Sequence, residues 1–216
     1  MTAIEQGPSR TPLATHLRRA LFAALALVTL ATLYVHEGYV LRPADPQWSH
    51  FAPFRWWLIP HIAGGTAALL IGPLQFSQTL RRRSLALHRW LGRLYVLSVA
   101  VGASLSVYIV LRFEAPLNHW VMGVMGGLWL VTTLFAWLAA LGGHILQHRL
   151  WIGRSYALTF TFVTTRFIPD VIFPGLDYYG VTALYWVLIV LSLTVPDLLI
   201  GGRALLPWRR TGAGQR

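Results

Sequence analysis

Long apolar stretches alternate with short polar connections over most of this 216-residue chain. They predict helices over residues 20–35 (with room to extend to 41), 56–76, 87–111, 119–141, 150–168 and 181–200. Most approach or exceed the roughly 20 residues a helix needs to cross a bilayer. The connections carry the breakers: Pro43, Pro46 and Pro53 before the second stretch, Gly142 and Gly143 after the fourth. Pro60 and Pro73 fall inside the second stretch, which a membrane helix tolerates where neighbours satisfy the freed backbone groups. The pattern predicts an all-α polytopic membrane protein of six transmembrane helices, with helices 2 to 5 as a central four-helix bundle. Residues 1–16 read as a disordered cytoplasmic tail, 17–202 as the transmembrane domain with its core at 56–169, and 203–216 as a basic tail. A basic start before an apolar run also describes a signal peptide, but no small-residue cleavage site follows the first stretch.

Composition supports this picture. The chain is 56% hydrophobic and only 12% charged, against about 25% charged in a soluble domain. The formal charge of +11 suggests nucleic acid at first sight, but basic connections in a membrane protein are usually orientation signals. All 18 basic side chains are Arg. With the N-terminus inside, 14 of the 18 fall on the cytoplasmic side, including Arg81, Arg82, Arg83, Arg89, Arg93, Arg149 and Arg154. Five of the seven acids fall outside. The reading is therefore a bacterial inner-membrane protein with both termini cytoplasmic, lipid as its surroundings, homo-oligomerisation open, and no nucleic acid partner. Arg81, Arg82 and Arg83 are candidates for anionic lipid or an acidic partner.

There is no cysteine, which excludes iron–sulfur clusters, thiolate-ligated haem and covalent haem attachment through paired Cys. Histidine is the remaining metal ligand of note. His61 and His119 fall near one predicted membrane face, His88 and His148 near the other. Two imidazoles at each of two levels can hold haem iron by bis-His ligation. Gly65 and Gly123 lie one turn after His61 and His119, where a missing side chain leaves room for a macrocycle. Arg93 and Arg154 are candidate cofactor-binding residues whose charge would tune the haem potential, while Arg81, Arg82 and Arg83 are the ones that could meet a haem propionate. The expected chemistry is a b-type haem protein, with one or two haem b groups passing electrons within or across the membrane between a donor and an acceptor the sequence does not name.

Two other readings stand beside it. One is a cofactor-free protein that binds or moves a small molecule or lipid between helices 2 and 5, with His61, Arg166 and Asp170 as polar contacts. Arg166 and Asp170 are four residues apart and are expected to pair on one helix face. The other is a structural subunit of a membrane complex. A short internal echo links His61-Ile-Ala-Gly-Gly65 with His119-Trp-Val-Met-Gly123, and His88-Arg89 through Tyr95 with His148-Arg149 through Tyr156. It suggests two parallel halves about an axis along the membrane normal.

Residues 58–95, with His61, Gly72-Pro73-Leu74-Gln75-Phe76 and His88-Arg89-Trp90-Leu91-Gly92-Arg93, resemble a bacterial family of predicted integral-membrane proteins, domain of unknown function 2306. Residues 148–166, with Arg154-Ser155-Tyr156-Ala157-Leu158-Thr159 and Arg166, resemble its second motif; His119 is in neither. That resemblance implies a membrane protein and no established activity. The arrangement also resembles cytochrome b561-type di-haem proteins, which implies His61 paired with His119 and His88 with His148 on four central helices. The shorter connections and the lack of a recognisable ascorbate-binding motif depart from that pattern.

The charge asymmetry predicts that reporter fusions after Arg83 and after Arg210 both report a cytoplasmic location. Either one appearing outside would overturn the alternation on which the two histidine levels rest.

Overall fold

The computed structural model describes residues 12–113 and 116–201, with the side chains at 12–15, 18, 19, 50, 116–119 and 201 excepted. The described chain is helical almost throughout. The long helices are α1 (Pro12–Glu37), α3 (Arg55–Gln75), α5 (Leu85–Phe113), α6 (Pro116–Leu141), α7 (Ile145–Phe167) and α8 (Tyr178–Pro196); α2 (Gln47–Phe51) and α4 (Gln78–Arg83) are short connectors. α1 begins at Pro12, inside the stretch expected as tail, in keeping with proline's fitness for a first helical turn. The 42–55 connection, expected as a plain loop, contains α2 flanked by 3₁₀ turns at Gly38–Leu41 and Ala52–Phe54. Tyr39 meets Trp48 edge to face and Phe51 at a tilt, Phe51 meets Phe54 edge to face, and Phe54 stacks on Phe113 at 5.0 Å.

Five helices among the described residues are long and apolar enough to cross a membrane, at Ala20–Leu41, Ala52–Gln75, Leu85–Phe113, Trp120–Leu141 and Tyr178–Ile200. The sixth long helix, α7, has 23 residues but is too polar to join them. Four of its polar residues, Ser155, Thr159, Thr161 and Thr165, are buried, while Gln147 and Arg149 near its start are exposed. α7 packs on α6 and α8 and touches α3 and α1, while α5 packs between α3 and α6. α1 is the loosest element, with almost its whole length exposed and Thr32 its one buried residue among those described.

Small residues set the spacing. Gly64, Ala68 and Gly72 recur every fourth position on α3 and are all buried. A Cβ placed on Gly64 would lie 2.7 Å from the Ser98 carbonyl oxygen and 2.9 Å from the Gly102 nitrogen, both α5 backbone. Close backbone approach through glycine is how helices associate where lipid supplies no hydrophobic drive between them. The ring of Tyr156 lies directly over Gly72, and its hydroxyl donates to the Leu69 carbonyl at 3.3 Å, tying α7 to α3.

A second tie joins α5, α6 and α7. Trp129 Nε1–H donates to Thr159 Oγ1 at 2.9 Å, and Thr159 meets the Tyr95 hydroxyl at 3.0 Å. Tyr95 meets Ser155 Oγ at 2.8 Å, Ser155 meets Thr133 Oγ1 at 2.7 Å, and Thr133 donates to the Trp129 carbonyl at 2.7 Å. Each hydroxyl has one proton. Since Thr133 gives its proton to the carbonyl, Ser155 donates to Thr133 and Tyr95 donates to Ser155. The Thr159 proton is left to choose between Tyr95 and its own helix's Ser155 carbonyl, 2.9 Å away. In its first setting the loop closes on Trp129 at both ends. Tyr95 and Ser155 are wholly buried, so these bonds replace water that cannot reach them.

Gly64→Ala is expected to destabilise the protein by about 1–3 kcal/mol through overpacking against α5 backbone. That lowers the melting temperature in detergent by about 2–4 °C per kcal/mol. Gly127→Ala, whose Cβ meets nothing within 4 Å, is the control and should be neutral or slightly stabilising. Equal melting of the two variants would show that the α3–α5 approach does not set the spacing.

Candidate functional site

Where α1, α3, α5, α6, α7 and α8 converge, a cavity of about 760 Å³ opens between them. That volume is within the roughly 300–1,000 Å³ of small-molecule sites. Its walls are mainly apolar, with Leu58, Ile62, Met122, Met125, Leu158 and Phe162 among them. Tyr39, Phe51 and Phe54 from the 38–54 segment also line it. The lining includes Trp129 and Thr159, which connects the cavity to the hydrogen-bonded loop.

Its polar edge consists of Glu37 at the end of α1, His61 near the start of α3 and Arg166 at the end of α7. Among the described lining residues, Arg166 is the one guanidinium and Glu37 the one carboxylate. They stand 3.7 Å apart. Arg166 also donates to its own helix's Phe162 carbonyl at 3.3 Å and lies 3.9 Å over the Phe162 ring. These contacts are long for charge-assisted bonds, and a guanidinium has five N–H donors. Arg166 therefore has capacity left for a second anion.

The expected Arg166–Asp170 pair does not form. α7 gives way to a π-helical turn at Ile168–Ile172 containing Pro169, which takes Asp170 off the four-residue face of Arg166. Asp170 instead accepts from His36 Nε2 at 2.9 Å. Consecutive α1 residues, His36 and Glu37, thus hold the outer ends of α7 and its π turn.

His61 Nδ1–H donates to the Gly102 carbonyl at 2.7 Å. A carbonyl only accepts, so in the neutral ring the proton is on Nδ1 and the free lone pair is on Nε2. His61 and Gly65 both line the cavity, and a Cβ at Gly65 would meet nothing within 4 Å. Gly123 also faces open space but is not part of the lining. The side chain of His119 lies outside the described residues, and so does the expected His61–His119 pairing.

The other end of the molecule holds the second histidine level. His148 lies inside the first turn of α7, because that helix begins at Ile145, five residues before the expected 150. Its Nδ1–H donates to the Ala136 carbonyl of α6 at 2.9 Å. Arg81, His148 and Arg89 are the electrostatic neighbours of His88, whose Nδ1 is buried with no hydrogen-bond partner. Gln75 Nε2 is buried in the same condition. Among the described residues, no group of three or more His, Asp or Glu side chains is arranged to hold a metal ion.

Arg154 and Arg93, expected beside the cofactor, contact other groups. Arg154 makes a two-pronged contact with Asp197, Nε to Oδ1 at 3.1 Å and Nη2 to Oδ2 at 2.6 Å, and lies over Trp151. Arg93 is exposed and lies 5.2 Å over the Trp90 ring. Arg81, Arg82 and Arg83 are exposed on α4, as an interfacial role requires.

Sequence reasoning passed over Glu37, His36 and Asp197. Asp197 had a signal, since an acid inside an apolar stretch calls for a partner. Glu37 and His36 gave none, because their partners lie more than 120 residues away.

No curated protein and no solved structure matches the chain. A family model does, over residues 58–200, a span that contains the α3–α8 part of the cavity wall and excludes α1 with its two latch residues. The chain belongs to the DUF2306 family of predicted membrane proteins.

Proposed function

We propose that this is a six-span inner-membrane protein, both termini cytoplasmic, that binds or moves a small molecule or lipid in the cavity between α1, α3, α5, α6 and α7. One observation carries the reading: the cavity of about 760 Å³ has apolar walls and places His61, Glu37 and Arg166 together on one edge. Mostly apolar walls with a few convergent polar groups are the usual form of a small-molecule site. α7, too polar to face lipid, counts as the sixth span because its polar side is enclosed by the other helices. The exposed Arg81–Arg83 cluster faces the cytoplasm in this topology and is suited to anionic lipid.

A second reading keeps haem b, as an electron carrier, and rests on His61. The Gly102 bond fixes the ring so that Nε2 is the free nitrogen, which is how metal-bound histidines are usually held, and Gly65 leaves open space one turn away. Arg166 is the group suited to a propionate there. Arg154, committed to Asp197, is not.

The visible spectrum of protein purified after expression with ample haem separates the two. The cavity reading expects no Soret band and no change on adding dithionite, and His61→Ala should then alter ligand binding alone. A reduced b-type spectrum with a component lost in His61→Ala would replace the cavity reading with the haem one. A spectrum lost in His148→Ala but kept in His61→Ala would put a haem at the cytoplasmic level and leave the cavity free.

A further inference from the structure

Beside the main cavity lies a smaller one, about 310 Å³, between α1 and the outer end of α7. On α1 it is lined at Leu27, Val28, Ala31, Thr32, Val35 and His36. Those positions recur in pairs every four residues, so they form a single stripe down one face of α1. At 1.5 Å per residue the stripe runs about 14 Å along the helix. Phe167, Asp170 and Val171 make the opposite wall. The groove is mainly apolar, with Thr32 midway along it and His36 meeting Asp170 at one end.

Val35 and His36 line both this groove and the main cavity. A single helical turn of α1 is therefore the partition between a groove on the outside of the helix assembly and the space inside. That turn is held by two polar contacts, His36 to Asp170 and Glu37 to Arg166. Elsewhere along α1, exposure is the rule and contact with the other helices is sparse. Segments with few buried contacts are the ones that open at low free-energy cost. The partition is thus a latched end on a loosely attached helix.

The chemistry of the latch indicates what it would admit. Arg166 is the guanidinium at the cavity edge, and its contact with Glu37 is long at 3.7 Å. An incoming anionic group can take the place of the Glu37 carboxylate without leaving Arg166 unpaired. The groove beyond it offers mainly apolar surface, broken by Thr32, to whatever follows the head. Resting on the small-molecule reading above, we propose that the outer end of α1 is a lateral gate through which a single-chain amphiphile with an anionic headgroup passes from the bilayer into the main cavity, its headgroup exchanging for Glu37 on Arg166.

The test uses the full-length protein in lipid nanodiscs, with dansyl-aminoundecanoate as probe and its methyl ester as the uncharged control. Energy transfer from tryptophan, Trp129 among the lining residues, reports occupancy. The acid should bind at least about ten-fold more tightly than the ester, the ratio expected for a charge-assisted bond. Arg166→Gln should abolish that preference. Glu37→Gln removes the competing carboxylate and should tighten binding of the acid several-fold, which keeps the test valid should the arginine variant fail to fold. For the gate, Ala31→Cys and Val171→Cys place one thiol on each wall of the groove in a chain that has no other cysteine. Joining them with a short bifunctional thiol reagent should slow association of the acid at least about ten-fold relative to the same protein before cross-linking. An unchanged rate after cross-linking would overturn the gate. Equal binding of acid and ester, with neither charge variant altering it, would overturn the headgroup assignment and leave the cavity reading standing. Failure of both probes to bind would remove the cavity reading and this proposal with it.

Discussion

A helix carrying Ser155, Thr159, Thr161 and Thr165 along its length, with arginines near both ends, cannot present those groups to hydrocarbon, where water is not available to bond them. α7 is therefore wrapped by the others, and most of the architecture follows from how it is wrapped. Some threonine hydroxyls turn back to carbonyls of their own helix, as Thr161 and Thr165 do. Ser155 and Thr159 instead reach Tyr95 and Thr133 on α5 and α6. Arg154 finds Asp197, in the π-helical turn that follows α8, and Arg166 finds Glu37 on α1. Each neighbour of α7 is thus chosen by a polar group as well as by packing. The cavity occupies space left between α7 and the helices around it.

The close approach of α3 and α5 is the counterpart of this arrangement. Gly64 and Gly102 bring the two backbones together, Gly64 of α3 against Ser98 and Gly102 of α5, and Gly102 in turn against His61, Gly64 and Gly65. His61 can reach the Gly102 carbonyl only because neither glycine has a side chain in the way. The orientation of the imidazole toward the cavity is therefore a product of helix spacing, and the site and the fold share the same two glycines.

Much of the fold was legible because bilayer thickness and helical rise leave little freedom in where apolar stretches begin and end. The boundaries of α3, α5 and α6 lie within three residues of those read from hydrophobicity. His61 and Arg166 were singled out by their position inside apolar stretches, and both line the cavity. What the sequence did not disclose was pairing across the structure. A four-residue spacing made Asp170 the natural partner of Arg166, but the π turn at Ile168–Ile172 changed the register, and a carboxylate on another helix took the place. The start of α7 was missed because Gln147, His148 and Arg149 look like a connection; Gln147 and Arg149 are exposed, and only His148 reaches a neighbouring helix, at the Ala136 carbonyl. The contribution of Tyr39, Phe51 and Phe54 to the cavity wall was missed because aromatic residues in a proline-rich stretch fit a membrane-interface loop equally well.

The sequence distance across the latch has a consequence for biogenesis. His36 and Asp170 are 134 positions apart, so nearly the entire chain must be synthesised before they can meet. Helices that insert singly and associate afterwards leave α1 in the bilayer as an independent span while α3, α5 and α6 accumulate beside it. Only when α7 has entered does α1 acquire the polar groups that hold its outer end. The cavity, with walls from both α1 and α7, is then among the last features to form, and a ribosome-bound chain lacking α7 has no such chamber to fill.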